Sequence, residues 1–486
     1  MHPRHSIFDS CLRLSSKRWK AFLLMISALL TACSTPPPHE RPALDVPTAY
    51  KQGVQGSAVW QTAQPQDSVP GAWWTLFADP ALDALQERAA SGNQNVALAV
   101  ARLRAARAAL DSAGAAGLPS LGATASSTRA RSGTTADNTT QARTRNSQAL
   151  GLNASWELDL WGRLSGGVDA ARASVEASAG DLAAMRLSVQ ATVVQTYFAL
   201  RAAEAQVLLL DDTLTAYERS WQLTRNRQRA GVASAADVAQ AEAQYKSTQV
   251  QRLEAQTSRA QLEHALAALT GQAPAALSVP ATAALPAPPT VPAQLPSRLL
   301  ERRPDIAAAQ QRVAAANAQI GVAQAAFFPA ITLSGAAGYR GTELSSLLNA
   351  PNLFWSLGPA LAVSLFDGGA RSAAVESARA THDQAVASYR QTVLTALQEV
   401  EDNLAAATAL EREQQLQAEA VAAAQRALDV VGNQYRAGTV GYLNVLTAQT
   451  TVLSVQRNLI DVRSRRLAAV NMLLKNVAGS WAAERL

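Results

Sequence analysis

Leu150-Gly151-Leu152-Asn153-Ala154-Ser155-Trp156-Glu157-Leu158-Asp159-Leu160-Trp161 alternates two sets of residues. Leu150, Leu152, Ala154, Trp156, Leu158 and Leu160 form an apolar set; Gly151, Asn153, Ser155, Glu157, Asp159 and Trp161 form a more polar one. A period of two puts each set on its own face of a strand, and an apolar face backed by a polar one suits a lipid boundary. Trp355, Leu357, Pro359, Leu361, Val363 and Leu365 repeat the pattern, preceded by Ile331, Leu333, Gly335, Ala337 and Tyr339. Leu121, Ala123 and Ala125, after Pro119, make a weaker strand. The competing reading is a pair of soluble hairpins packed on a helix. Polar stretches from Arg131 to Arg145 and from Gly341 to Leu353 suit an exposed outer rim.

Beyond the N-terminal segment the chain has no run of 18 or more apolar residues, so a membrane crossing has to be made by strands in a closed barrel. Four strands cannot close one, since closure begins near eight. An oligomer follows, because unpaired strand edges are not tolerated in lipid.

The N-terminus itself carries Arg13, Lys17, Arg18 and Lys20, then an apolar run from Ala21 to Leu30. That run is too short to span a bilayer and fits the core of a secretory signal. Leu30-Thr31-Ala32-Cys33 resembles a bacterial lipobox, which implies cleavage before Cys33 and a covalent N-acyl and diacylglyceryl lipid on its amine and thiol. An ordinary signal cleaved near Ala32 is the alternative. Cys11 falls in the removed segment, leaving Cys33 as the one thiol, so disulfides and cysteine-based metal sites are excluded. Ser34 after the cysteine, by resemblance to sorted lipoproteins, favours the outer membrane.

The chain also repeats itself about 210 residues apart. With Asn95 set against Asp305, Val96 falls on Ile306, Arg102 on Arg312, Leu110 on Ile320, Pro119 on Pro329 and Leu121 on Ile331. Further on, Arg229-Ala230-Gly231-Val232 corresponds to Arg436-Ala437-Gly438-Thr439, and Asp237-Val238 to Asn444-Val445. Two prolines and two turn glycines at matching distances point to duplication.

Between these landmarks lie helices too long for a globule. From about Leu164 to Arg229 there is no proline, and Val189, Val193, Thr196, Leu200, Ala203, Val207, Leu210, Leu214, Tyr217 and Trp221 form a heptad seam. At 1.5 Å per residue such a helix is a rod on the order of 100 Å. Ala370 to Arg436 is its counterpart, and Leu446, Leu453, Ile460, Leu467 and Leu474 line a helix returning from the second glycine turn. A soluble coiled-coil rod explains the heptads but neither the strands nor the lipobox. Pro-rich linkers run from Pro36 to Pro47 and from Pro274 to Pro296.

At 486 residues, 48% hydrophobic and 16% charged, the chain can bury a large core. Its formal charge of +6 is partly carried by the signal segment, and the remaining cations are scattered among Asp and Glu. Export and dispersion argue against nucleic acid. Nothing catalytic is assembled: His39, His264 and His382 stand alone, and no phosphate-binding loop occurs, so energy has to come from a partner.

Trp73-Trp74, Phe77-Ala78-Asp79-Pro80-Ala81-Leu82, Leu300-Glu301-Arg302-Arg303-Pro304-Asp305-Ile306, Phe328-Pro329-Ala330-Ile331 and Phe366-Asp367-Gly368-Gly369 resemble the outer membrane factor (TolC-like) family, in its NodT-type lipoprotein branch. The resemblance runs from about Trp73 to Leu474. It implies an internally duplicated α+β membrane protein acting as a homotrimer, each chain giving four strands to a twelve-stranded outer membrane barrel and long antiparallel helices to a periplasmic tunnel. The corresponding segments are a signal over 1–32, a lipidated extended segment over 33–72, repeats over 73–273 and 298–479, and a linker over 274–297; barrel strands lie within 118–162 and 328–366.

The resemblance further implies docking of a periplasmic adaptor at the glycine turns, on Gly231, Val232, Gly438 and Thr439. A gate beside them would use Asp237 and Tyr435 in polar links, Leu443 as an apolar stop, and Asn444 and Thr447 facing the pore. Asn444 and Thr447 stand where carboxylates are frequent in the family, and Val440 where a cation is, which argues against cation binding at the aperture. The partner expected behind the adaptor is an inner-membrane, proton-driven RND-type pump carrying small molecules, with no cofactor beyond the lipid. An ATP-driven exporter of proteins or peptides is the alternative within this class, and a structural periplasmic coiled-coil lipoprotein the alternative outside it. Metal-ion efflux is a third option, without a methionine relay here since Met185 and Met472 are the only methionines past the signal.

Overall fold

The computed structural model describes residues 42–43, 60–62, 71–131, 144–282, 285–289, 291–293 and 303–477. The signal segment and Cys33 lie outside the described residues. A short β1 (Trp60–Thr62) pairs in parallel with β4 (Val291–Ala293). The first repeat runs α1 (Pro80–Gly92), α2 (Gln94–Ala115), β2 (Ser120–Arg131), β3 (Thr144–Leu158), α3 (Arg163–Arg229) and α4 (Ala235–Leu269). The second runs α5 (Pro304–Ala325), β5 (Ala330–Gly341), β6 (Leu353–Ala362), α6 (Ala370–Arg436) and α7 (Tyr442–Val477).

The duplication is visible in the lengths. α2 and α5 have 22 residues each, β2 and β5 12 each, and α3 and α6 67 each, while α4 and α7 have 35 and 36. Proline-free sequence lets both long helices run without a break. The chain divides into two compact units, one built from Ala105–Glu176 and Gln310–Ala387, the other from Ala43–Arg104, Ala177–Ala309 and Ser388–Leu486.

The first unit carries a four-stranded antiparallel sheet in the order β2-β3-β5-β6. Its register assembles two unlike faces. One shows cross-strand rows Ala125-Leu150-Tyr339-Leu353, Ala123-Leu152-Ala337-Trp355, Leu121-Ala154-Gly335-Leu357 and Leu158-Ile331-Leu361. The other shows Thr124-Gly151-Gly338-Phe354, Gly122-Asn153-Ala336-Ser356 and Ser120-Ser155-Ser334-Gly358. Asn153 Nδ2 donates to Thr124 Oγ1 at 3.2 Å on this second face. The apolar face is bare in the single chain: Trp355 is 76% and Leu121 73% exposed. From Leu150 to Leu158 the strand runs about 27 Å, which at a tilt of ~40° spans roughly 21 Å, near the ~25 Å apolar band of a barrel.

Both strands that precede the long helices stop sooner than their alternation suggests. β3 ends at Leu158 because Asp159 turns to accept from the amides of Leu164 (3.0 Å) and Ser165 (2.7 Å), capping α3. Trp161 leaves the strand pattern, stacks on Phe328 with centroids 4.9 Å apart and donates to the carbonyl of Pro329 at 2.7 Å. Likewise β6 ends at Ala362, short of Val363 and Leu365, and Asp367 accepts from the amides of Gly369 (3.0 Å) and Arg371 (3.2 Å) at the start of α6.

In the second unit the seam residues Val189, Val193, Leu200, Ala203, Leu210 and Tyr217 of α3 are buried, together with Val393 and Ala396 of α6 and Leu467, Val470 and Leu473 of α7. Gly180 is a point of close approach: a Cβ there would lie 2.9 Å from both Pro304 O and Ala308 Cβ of α5. Residues 277–282, after α4, form no strand ladder, so charged side chains hold their backbone. Buried Arg201 donates to Pro280 O at 2.8 Å and to Glu204 at 2.7 Å, while Glu204 accepts from Thr282 N at 3.1 Å. Arg259 donates to Val279 O at 3.0 Å, and Glu263 accepts from Val279 N at 2.8 Å.

The two repeats close differently. Asn93 caps α2 through the amides of Asn95 and Val96 and reaches Leu269 O at 2.8 Å, at the end of α4. In the equivalent place Arg303 binds Asp305 (2.7 Å), Glu399 of α6 (2.9 Å) and Asn476 of α7 (2.9 Å). Burial pushes the Asp305 carboxyl up, but Arg303 and the Ile306 amide outweigh it and hold it below the ordinary 3.8.

A depressed folded-state pKa means that this tie contributes fully above pH 3.8 and is lost as pH falls through the folded value. Acid unfolding followed by near-ultraviolet circular dichroism is expected to be less steep in Asp305→Asn at the lowest pH; an unaltered acid limb contradicts the tie. Gly180→Leu is expected to lower stability by about 1–3 kcal/mol through overpacking, seen as a reduced melting temperature.

Candidate functional site

Both long helices end in the same device. At the end of α3, Gly231 has φ +72°, its amide donates to Gln228 O at 2.9 Å, and the Val232 amide donates to Arg227 O at 2.8 Å. At the end of α6, Gly438 has φ +81°, with its amide on Tyr435 O and the Thr439 amide on Gln434 O, each at 3.0 Å. These paired bonds are Schellman motifs, and a left-handed residue at this position favours glycine. Val232 is 65% exposed and Thr439 is also exposed.

The two turns adjoin. Asn226, Arg227, Ala230 and Val232 of the first line an open groove with Arg436, Ala437 and Gly438 of the second. Arg227 is the bridge: its guanidinium lies 4.7 Å from the centre of the Tyr435 ring and donates to the carbonyls of Tyr435 (3.0 Å) and Arg436 (3.3 Å). A cation on the free carbonyls at a helix C-terminus satisfies them and meets the negative end of the helix dipole. The Tyr435 hydroxyl pairs with Thr224 Oγ1 of α3 at 3.2 Å.

Behind the turns lies an aromatic core. Tyr435, Tyr442, Ala241 and Val445 are buried together, with Trp221 and Val440 packed on them. Tyr435 and Tyr442 meet edge to face at 5.8 Å, and Trp221 stacks on Tyr245 at 5.7 Å. Burial raises the Tyr442 hydroxyl pKa, with the fields of Tyr435 and Asp237 adding to it.

The candidate gate residues are thus placed unequally. Tyr435 faces α3 through Thr224 and Arg227. Asp237 does not share those contacts: its carboxylate accepts from the Ser234 amide at 3.0 Å and hydroxyl at 2.8 Å, while Ser234 caps the Asp237 amide. This capping box starts α4. Leu443 is 61% exposed, and Asn444 and Thr447 are exposed on the same first turns of α7. Sequence reading missed Arg227, which looks like one more cation in Arg225-Asn226-Arg227-Gln228-Arg229. Aligning the two glycine turns sets it against Gln434, and that departure from the repeat was the available signal. Among the described residues no cluster of three metal-ligating side chains occurs, and no helix is long and apolar enough to cross a membrane.

The profile of outer membrane efflux proteins matches this chain twice, over residues 85–272 and 295–479. The chain is 33% identical over 462 residues to the antibiotic efflux pump outer membrane protein ArpC of Pseudomonas putida, covering 94% of this chain and 95% of that one. It is 30% identical over 465 residues to the cation efflux system protein CusC of Escherichia coli, covering 94% and 97%. The solved outer-membrane channel OprN superposes with a TM-score of 0.85 at 30% identity, over 92% of this chain and all of that one. Twofold matching of the profile falls on the two structural repeats, and the relatives extend over almost the whole chain. The open-edged sheet with one apolar face, the paired helical hairpins and these similarities agree: the chain belongs to the outer membrane efflux protein family and is an outer membrane channel subunit.

Proposed function

We propose that three copies form the duct of a tripartite efflux system, passing small toxic molecules from a periplasmic adaptor and an inner-membrane, proton-driven RND-type pump to the exterior. The observation that carries this reading is the sheet: β2 and β6 are unpaired edges of a strongly two-faced antiparallel sheet. Three such sheets supply twelve strands, enough to close a barrel with every edge paired. The substrate class is supported by relatives described as antibiotic and cation efflux proteins. An ATP-driven protein or peptide exporter is the runner-up, and no observation favours it.

In this reading residues 1–32 are a signal and Cys33 carries the lipid that anchors the chain in the outer membrane. Segments 33–72, 73–273, 274–297 and 298–479 are the lipidated extension, the first repeat, the linker and the second repeat. The two Schellman turns form the docking tip, where Gly231 and Gly438 bring backbone to the surface and Val232 and Thr439 offer side chains to the adaptor. Tyr435 with Arg227 and Thr224 latches the tip, Leu443, Asn444 and Thr447 line the aperture, and Asp237 shapes it by capping α4. Asn444 and Thr447 are neutral, so the aperture itself holds no carboxylate at those positions.

A photoreactive residue at position 439, activated in cells, is expected to capture a periplasmic adaptor that co-purifies with a proton-driven pump. Capture of an adaptor bound to an ATP-driven transporter contradicts the small-molecule reading. Arg227→Ala combined with Tyr435→Phe is expected to raise single-channel conductance in a planar bilayer severalfold, because it removes the ties between the ends of α3 and α6. Unchanged conductance at unchanged oligomer mass takes these residues out of the latch. Cys33→Ser is expected to abolish incorporation of labelled palmitate, and retained label sinks the anchor assignment.

A further inference from the structure

Near its outer end the polar face of the sheet carries two arginines that have no ion-pair partner among the described residues. Alternation along β3 and β5 puts Arg145, opposite Ala130, and Arg340, opposite Ala149, on the face that holds Asn153 and Thr124. Both arginines are exposed, and neither forms an ion pair among the described residues. Glu157 is the one acidic side chain among the described residues of the four barrel strands, and Arg163 neutralises it with bonds of 2.7 and 3.0 Å.

Arg340 is also held in place. Phe354 is the large side chain in an otherwise small row, Thr124-Gly151-Gly338-Phe354. A Cβ on Gly151 would sit 3.7 Å from Phe354 Cζ, so the ring lies over the space that the glycine leaves. The Arg340 guanidinium sits 4.9 Å from the centre of that ring. A cation over an aromatic face keeps its charge while losing freedom. Phe354 thereby fixes a positive charge against the wall instead of letting a long side chain wander.

We infer that Arg145 and Arg340 form an anion-attracting collar inside the barrel, giving the duct a preference for anionic over cationic solutes. This rests on the three-copy channel proposed above, in which the polar face lines the lumen and the collar holds six guanidinium groups. Rings of charge in a narrow pore focus the field and set the sign of the permeant ion. Arg129 and Arg131 make an internal control, since alternation places them on the opposite, apolar face.

The test is the reversal potential of the purified full chain in a planar bilayer under a potassium chloride gradient, with oligomer mass verified for each variant. Wild type is expected to favour chloride over potassium. Arg145→Gln with Arg340→Gln is expected to lower the chloride-to-potassium permeability ratio at least roughly twofold, and Arg129→Gln with Arg131→Gln to leave it unchanged. A cation-selective wild type, an unchanged ratio in the collar variant, or an equal fall in the control overturns the collar. A wild type of the expected mass that conducts nothing overturns the channel reading beneath it, which is a separate result.

Discussion

In hydrocarbon every backbone amide and carbonyl of this sheet has to find its partner in protein. A strand edge that faces hydrocarbon leaves amides and carbonyls unmet, at several kcal/mol for each group. Within one chain β3 and β5 are paired on both sides, while β2 and β6 each keep one free edge. The apolar face forbids an aqueous solution to this problem, because Leu121, Trp355, Leu357 and Leu361 stand largely exposed on it. Neighbouring copies satisfy both demands at once. Association is therefore part of folding for this unit, since the sheet of one chain has no environment in which both its edges and its apolar face are satisfied.

Duplication supplies the architecture, and departures from it supply function. Asp159 and Asp367 each accept amide hydrogens at the start of α3 and α6, from Leu164 and Ser165 in one and from Gly369 and Arg371 in the other, so each hairpin hands over to its long helix through a carboxylate. Gly231 and Gly438 end those helices with identical hydrogen-bond patterns. Elsewhere the repeats differ. Asn93 makes a local cap where Arg303 gathers Asp305, Glu399 and Asn476. Arg227 reaches across to the carbonyls of α6 where the second repeat has Gln434. Arg227 thus adds a one-sided tie between the hairpins to the Tyr435–Thr224 bond and the shared core of Ala241, Tyr435, Tyr442 and Val445.

Much of this was legible in the sequence because it is written in periods. The alternation from Leu150 to Leu158 survives in the register row by row, since a shift of one residue would turn every leucine to the polar face. The heptad seam through Val193, Leu200 and Leu210 is buried for the same kind of reason. Strand ends were less readable: alternation continues through Leu160 and Leu365, but Asp159 and Asp367 draw the chain into a helix first. Ser234-Ala235-Ala236-Asp237 has the spacing of a capping box and folds as one, so in the single chain the Asp237 carboxylate is engaged at the start of its own helix. The i,i+3 spacing of Arg201 and Glu204 is local, but what they and Arg227 hold is backbone far along the chain, at Pro280, Thr282 and Tyr435, which no local pattern encodes.

Closure of the free edges of β2 and β6 by copies of the same chain, three to a barrel, has a direct readout in the mass of the assembly. Native mass spectrometry of the detergent-extracted full-length protein counts the chains. A dominant species of three chains is the predicted result. A stable monomer, or an assembly of any other number, contradicts closure by three copies.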